Sequence, residues 1–155
     1  MAKIIRVDHI AVAVRDVEAS VVKYQTILGA ELVARGEIPM QGNKTNVAYL
    51  KLGDNLIVLD GAVDPGGFLS KFIEKRGEGL HHIGLTVDNL DEYVRDLEAK
   101  GIRIPHRESF GEGRREILLS PKDLSGVVMQ VIEWKEGDYP TFEERIQRLK
   151  RFMPE

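Results

Sequence analysis

VDHIAVAVRDVEASVVKYQTIL, residues 7–28, and LHHIGLTVDNLDEYVRDLEAKG, residues 80–101, align without a gap at an offset of 73 residues. The alignment pairs His9 with His82, Ile10 with Ile83, Val12 with Leu85, Val14 with Val87 and Val17 with Leu90. Each stretch opens with apolar residues at every second position, the period of a strand with one packed face. It continues with apolar residues three or four apart, the period of a helix: Val17, Val21, Tyr24 and Leu28, then Leu90, Tyr93, Val94 and Leu97. Asp16 and Asn89 stand where an N-cap belongs, because their side-chain oxygens can accept from the unpaired N–H groups of a first helical turn. Gly29 and Gly101 punctuate the helix ends.

Further strand signals follow each helix. In the first copy they fall at 31–35, 46–51 and 56–60, the last two joined by the GDN turn; in the second they fall at 102–105, 115–119 and 127–134. The pattern therefore predicts an α+β fold of two repeated βαβββ modules. Joined side by side, these would form one curved mixed sheet around a cleft, with the helices on its outer face. Module one is expected at about 5–65 and module two at about 80–134, within a single domain over residues 1–136.

Alternation also fixes which way the histidines point. Ile10, Val12 and Val14 form the bulky face that packs on a helix, so His9, Ala11 and Ala13 face the other way; on the matching strand His82, Gly84 and Thr86 do the same. Small neighbours leave open space above each imidazole. A lone strand histidine is usually bonded to a backbone carbonyl, but two at equivalent repeat positions are placed to meet across a pseudo-two-fold axis and chelate one divalent cation. His81 is expected on the helix side, with a structural role.

Composition narrows the partners. A chain of 155 residues, 43% hydrophobic, can bury a sizeable core. No run approaches the roughly 20 apolar residues that cross a bilayer, and MAKIIRVDHIAVAV lacks the pattern of a secretory signal, so a cytoplasmic protein without a membrane partner is expected. Cysteine is absent, which excludes thiolate metal sites and a cysteine nucleophile. With 22 Lys and Arg against 25 Asp and Glu, and no basic stripe, nucleic acid is not an expected partner; a small-molecule substrate is.

VDHIAVAVRD (7–16), PMQGNKTNVAYLKLGDNLIVLDG (39–61), FLSKFIEKRGEGLHHIGLTVDNL (68–90) and SPKDLSGVVMQVIE (120–133) together resemble the vicinal oxygen chelate superfamily of glyoxalases, bleomycin-resistance proteins and extradiol dioxygenases. Within it, the likeness is to methylmalonyl-CoA epimerases. The resemblance implies a divalent metal ion (Co, Zn, Ni, Mn or Fe), an acyl-CoA thioester substrate, and isomerisation by α-proton abstraction through a metal-stabilised enolate. It places two metal ligands on His9 and His82. The family's fourth-strand ligand falls on Val58, which cannot bind a metal, and its last ligand, a glutamate, falls on Gln130, which offers only a neutral carbonyl oxygen.

Asp60 lies two residues beyond Val58 on the same face, with its Cα displaced by roughly 6.6 Å, and would ligate only if the strand shifts. Glu133, an odd step from Gln130, is expected to point away from the cleft. Gln130 and Tyr49 are the catalytic candidates, with His106 and Lys44 as spare acid–base groups. Three ligands without a fourth-strand donor also match an extradiol-type dioxygenase; a glyoxalase-like lyase and a non-catalytic small-molecule binding protein remain open on the same scaffold.

Lys71, Lys75 and Arg76 are candidates for a thioester's nucleotide phosphates. The glycine-bearing stretches EIPMQGNKTN (37–46) and RESFGEGRRE (107–116) are candidate lids or ordinary connections. Residues 137–155 form an amphipathic extension in which Thr141 and Glu144 make a capping box. Phe142, Ile146, Leu149 and Phe152 or Met153 fall on one helical stripe, expected to serve a homodimer.

Overall fold

The computed structural model describes residues 1–111, 113–135 and 141–153. Its elements are β1 (Ile4–Val14), α1 (Val17–Leu28), β2 (Glu31–Met40), β3 (Asn43–Leu52), β4 (Asn55–Ala62), α2 (Phe68–Arg76), β5 (Gly79–Val87), α3 (Leu90–Ala99), β6 (His106–Phe110), β7 (Arg114–Leu119), β8 (Val128–Trp134) and α4 (Phe142–Phe152). The α+β class, the two βαβββ modules and the C-terminal helix are all present. The strands pair in the order β2-β3-β4-β1-β5-β8-β7-β6, mixed because β5 and β8 run parallel while β2-β3-β4 and β6-β7-β8 are antiparallel.

The chain divides into two compact units. One joins Met1–Ile10 to His81–Asp138; the other joins Ala11–Leu80 to Tyr139–Glu155. β1 thus serves both.

In the unit that contains module one, α1 starts where predicted, with Asp16 Oδ1 accepting from Ala19 N at 2.9 Å, and ends at Gly29 in the left-handed region. Its Val17 and Val21 pack with Val14, Ala48, Leu50 and Leu59 on one sheet face. The opposite face is covered too. Ala11, Val47, Tyr49, Leu56 and Val58 form a cluster with Ile146, Leu149 and Met153 of α4, while Ala13 packs with Leu69 and Ile73 of α2. Burial on both sides explains why VAYL at 47–50 reads as an unbroken apolar run. The capping box of α4 forms as expected, between Thr141 and Glu144. Its stripe, however, is taken up by this chain's own sheet, which corrects the expectation that a second chain covers it. The Phe152 side chain lies outside the described residues.

In the other unit, Asn89 caps α3 through Glu92 N, and Leu90 and Val94 pack with Val87, Ile117, Leu119 and Val131. One sequence expectation is corrected. The strand expected at 102–105 lies instead at His106–Phe110. Pro105 has no N–H to give a ladder, and Ile104 packs with the α3 cluster without pairing. In the unit that contains module one, the stretch 37–46 is a hairpin, with Met40 opposite Asn43 and Gln41 and Gly42 both at positive φ, the two-residue turn that matches strand twist. The stretch 107–116 is likewise mostly ladder, from His106 opposite Leu118 to Phe110 opposite Arg114. Glu112 at its tip lies outside the described residues.

Candidate metal centre

Within the unit that joins Met1–Ile10 to His81–Asp138, β1 and β5 bring the two repeat histidines together. His9 Nε2 and His82 Nε2 are 3.1 Å apart, and the rings meet edge to face with centroids 5.2 Å apart. Both are buried, at 8% and 4% exposure. Gly84 makes this possible, because a Cβ there would sit 2.4 Å from Cε1 and 2.6 Å from Nδ1 of His9. The ring of His9 therefore lies in the space that a side chain at position 84 would fill, and the small residue that suggested open space is the floor beneath an imidazole.

The far nitrogen of each ring is engaged. His9 Nδ1 donates to Asp8 Oδ1 at 2.8 Å, and Asp8 Oδ2 accepts from Thr86 Oγ1 at 3.0 Å and from Trp134 Nε1 at 3.1 Å. A carboxylate that only accepts fixes the proton of His9 on Nδ1 and leaves the Nε2 lone pair facing His82. His82 Nδ1 shares a proton with His81 Nδ1 at 2.9 Å. Burial, with His9, His81 and Arg114 adding to it, holds the pKa of the His82 imidazole well below its ordinary value, so the ring is neutral near pH 7, the form that ligates a metal.

His81 thus corrects the alternation argument: it is not turned to the helix side but meets the His82 ring edge to face, with centroids 5.2 Å apart. The strand departs from period two here, with both His81 and His82 buried, and the first repeat does the same at the equivalent Asp8 and His9. Each histidine therefore has a partner directly before it in sequence, carboxylate in one repeat and imidazole in the other. Sequence reasoning missed both partners, although their equal offsets were visible.

Gln130 lies opposite Gly84 in the parallel β5–β8 ladder, on the face that carries His9 and His82. It is 3% exposed. Its Nε2 donates to Glu116 Oε1 at 2.8 Å, while its Oε1 is buried with no hydrogen-bond partner. Glu116, also 3% exposed and ion-paired with Arg114, is a second residue the sequence reading missed. Its signal was alternation: Ile117 and Leu119 pack toward α3, which sends Glu116 to the other face. Glu133 lies on the helix side as expected. Its Oε1 accepts from Leu90 N at the start of α3, and it pairs with Arg115.

These residues suit a divalent cation. Two nitrogens bound cis at ~2.1 Å on one octahedral ion stand about 3.0 Å apart, close to the observed separation. Both histidines have their second nitrogen oriented by a neighbour, the arrangement typical of metal-bound imidazoles, and an otherwise orphaned amide oxygen is available as a third donor.

In the other unit, Asp60 is fully buried, and desolvation pushes its carboxyl up to about 8. Tyr49 packs in the apolar cluster under α4, directly opposite Val58 in the β3–β4 ladder. Lys44 Nζ is 3.5 Å from Glu37 on the β2–β3 hairpin, and His106 Nε2 is 3.0 Å from Glu108 on β6; each is committed to a local partner. Lys71, Lys75 and Arg76 are exposed on α2, with Arg76 over the Phe72 ring.

The chain is similar to several known proteins. Methylmalonyl-CoA epimerase of Bos taurus, a mitochondrial protein, is 33% identical over 130 residues, covering 81% of this chain and 73% of its own. The ethylmalonyl-CoA/methylmalonyl-CoA epimerase of Cereibacter sphaeroides is 29% identical over 130 residues, 81% of this chain and 96% of its own. Among solved structures, a variant of Streptomyces coelicolor methylmalonyl-CoA epimerase in complex with 2-nitronate-propionyl-CoA superposes with a TM-score of 0.77 at 27% identity, over 89% of this chain and all of that one. A sequence profile matches residues 8–117, and the chain belongs to the Glyoxalase/Bleomycin resistance protein/Dioxygenase superfamily.

Proposed function

We propose that this protein is a metal-dependent isomerase that epimerises the α-carbon of a short 2-carboxyacyl-CoA thioester such as methylmalonyl-CoA. The observation that carries the reading is the pair of buried Nε2 atoms 3.1 Å apart, each backed by an oriented second nitrogen, in a chain whose relatives include epimerases of this class. A divalent cation held there supplies a positive charge beside an acyl oxygen, offsetting the negative charge that develops as the neighbouring carbon loses its proton.

The residues divide the remaining work. His9 and His82 would hold the ion through Nε2, with Asp8 and His81 orienting them and Gln130 offering an amide oxygen. Asp60 is retained as a further proposed donor. Because its carboxyl is raised to about 8, metal uptake through it at neutral pH releases a proton. Tyr49 is retained as the proposed proton carrier, and Tyr49→Phe, which preserves the packing, lowers kcat at unchanged metal content if it serves that role. Lys71, Lys75 and Arg76 are the cations proposed for the nucleotide phosphates. The proposal also takes the protein to be cytoplasmic and homodimeric, any dimer using a surface other than the covered stripe of α4. Among the described residues, no helix is long and apolar enough to cross a membrane.

The test is solvent exchange. Incubating methylmalonyl-CoA with metal-loaded protein in deuterated water should put deuterium at the α-carbon. No exchange with stoichiometric metal bound would overturn the reading. Oxygen uptake with Fe(II) and a catechol would point instead to the dioxygenase branch.

A further inference from the structure

We infer that Glu116 is a positioning residue that turns Gln130 into an oxygen ligand, and that Arg114 and Trp134 connect it to the carboxylate that orients His9. The inference rests on the metal-centre reading above.

A buried primary amide has two different ends, and something must decide which one faces the ligand. An ionised carboxylate accepts hydrogen bonds and donates none, so the contact of 2.8 Å between Gln130 and Glu116 must be made by Nε2. The amide oxygen is thereby directed away from Glu116, and it is the end with no hydrogen-bond partner. The same contact polarises the amide. Accepting from its N–H draws electron density toward the oxygen and makes it a better donor to a cation. A neutral glutamine at a ligand position thus regains, from one bond farther out, part of the negative charge that a carboxylate ligand would bring.

Glu116 is itself fixed. Its ion pair with Arg114 leaves the two side chains 3% and 13% exposed. Buried ion pairs add little net stability compared with apolar residues of similar volume, so one at this point in a sheet face calls for a role in orientation. The Arg114 guanidinium lies over the rings of Phe110 and Trp134, at 5.1 and 5.3 Å. Trp134 donates through Nε1 to Asp8, which holds His9. The contacts therefore run from Gln130 through Glu116, Arg114, Trp134 and Asp8 to His9, linking two metal donors through their supports.

The experiment is calorimetric titration of the metal-free, full-length protein with Co2+, with circular dichroism confirming the fold of each variant. Glu116→Leu should weaken Co2+ binding about tenfold or more, the usual scale for losing a ligand's support. Glu116→Gln, close in shape and a safeguard if the leucine variant does not fold, should weaken it less, since one amide oxygen can still accept from Gln130. Exchanging the pair in Glu116→Gln/Gln130→Glu places the carboxylate at the ligand position and an amide behind it. That variant should bind at least as tightly as the wild type, a rescue that general destabilisation would not produce. Unchanged affinity in folded Glu116→Leu or Glu116→Gln, or a double variant weaker than Glu116→Gln alone, overturns the inference. If His82→Ala loses binding while the Glu116 variants do not, only this inference fails. If the wild type binds no Co2+, it and the metal-centre reading fail together.

Discussion

The two modules share a strand–helix plan at a constant offset, yet their equivalent sheet faces have opposite characters. In module one the face bearing Val47, Tyr49, Leu56 and Val58 is apolar and roofed by α4. In module two the corresponding face carries His82, Thr86, Glu116 and Gln130, all buried and polar. Duplication thus preserved the scaffold in both copies, while the strands that follow the helix diverged, largely apolar at 47–58 and polar at Glu116 and Gln130. An apolar face gains by being covered; a polar one is tolerated when buried only if its groups bond to one another or to a ligand. Module one still contributes buried polar groups, Asp8, His9 and Thr45 among them, and desolvation pushes the carboxyl of its Asp60 up to about 8.

If the polar face is a metal site, the largest effect will come from its histidines. His9→Ala and His82→Ala should each abolish stoichiometric metal in the purified protein, measured by elemental analysis, and wild-type metal content in both would remove the contrast between the faces. The next effect belongs to Asp60. Its folded pKa of about 8 lies above the unfolded value of 3.8, so its contribution to stability is complete below about pH 4 and is lost as pH rises toward 8. The slope is at most about 1.4 kcal/mol per pH unit. Denaturation of the metal-free protein between pH 5 and 8 should show that loss in the wild type and less of it in Asp60→Asn.

Covering the apolar face should matter for stability alone. Leu149→Ala removes a buried side chain between α4 and the sheet and should cost about 2–5 kcal/mol in urea unfolding, with Co2+ affinity of the folded protein unchanged. A matching loss of affinity would show that the faces are energetically coupled. The smallest stability effect is expected at Gly84→Ala, about 1–3 kcal/mol from overpacking. There the new methyl must displace the His9 ring, so metal affinity should fall in the same variant, and the pairing of the two losses distinguishes it from Leu149→Ala.

Much of this was legible in the sequence because it is periodic. Alternation around His9 and His82 gave their shared face, the apolar spacing gave α1 and α3, and Asp16, Asn89 and Thr141 gave the caps that form. The strand expected at 102–105 failed because Ile104 packs with the α3 cluster without pairing, and alternation does not say whether backbone groups find a ladder. The place of α4 was likewise open: an amphipathic stripe reports that an apolar partner exists and says nothing of which surface provides it.

The sequence by itself determined the doubled plan and the imidazole pair, because a repeat offset and a two-residue period are one-dimensional quantities. Only the tertiary structure decided that Asp8 and His81 back those imidazoles, that Gly84 makes room for a ring, and that Glu116 on one strand orients Gln130 on the next. Those choices depend on cross-strand register and side-chain direction, which bring together residues that no local spacing connects.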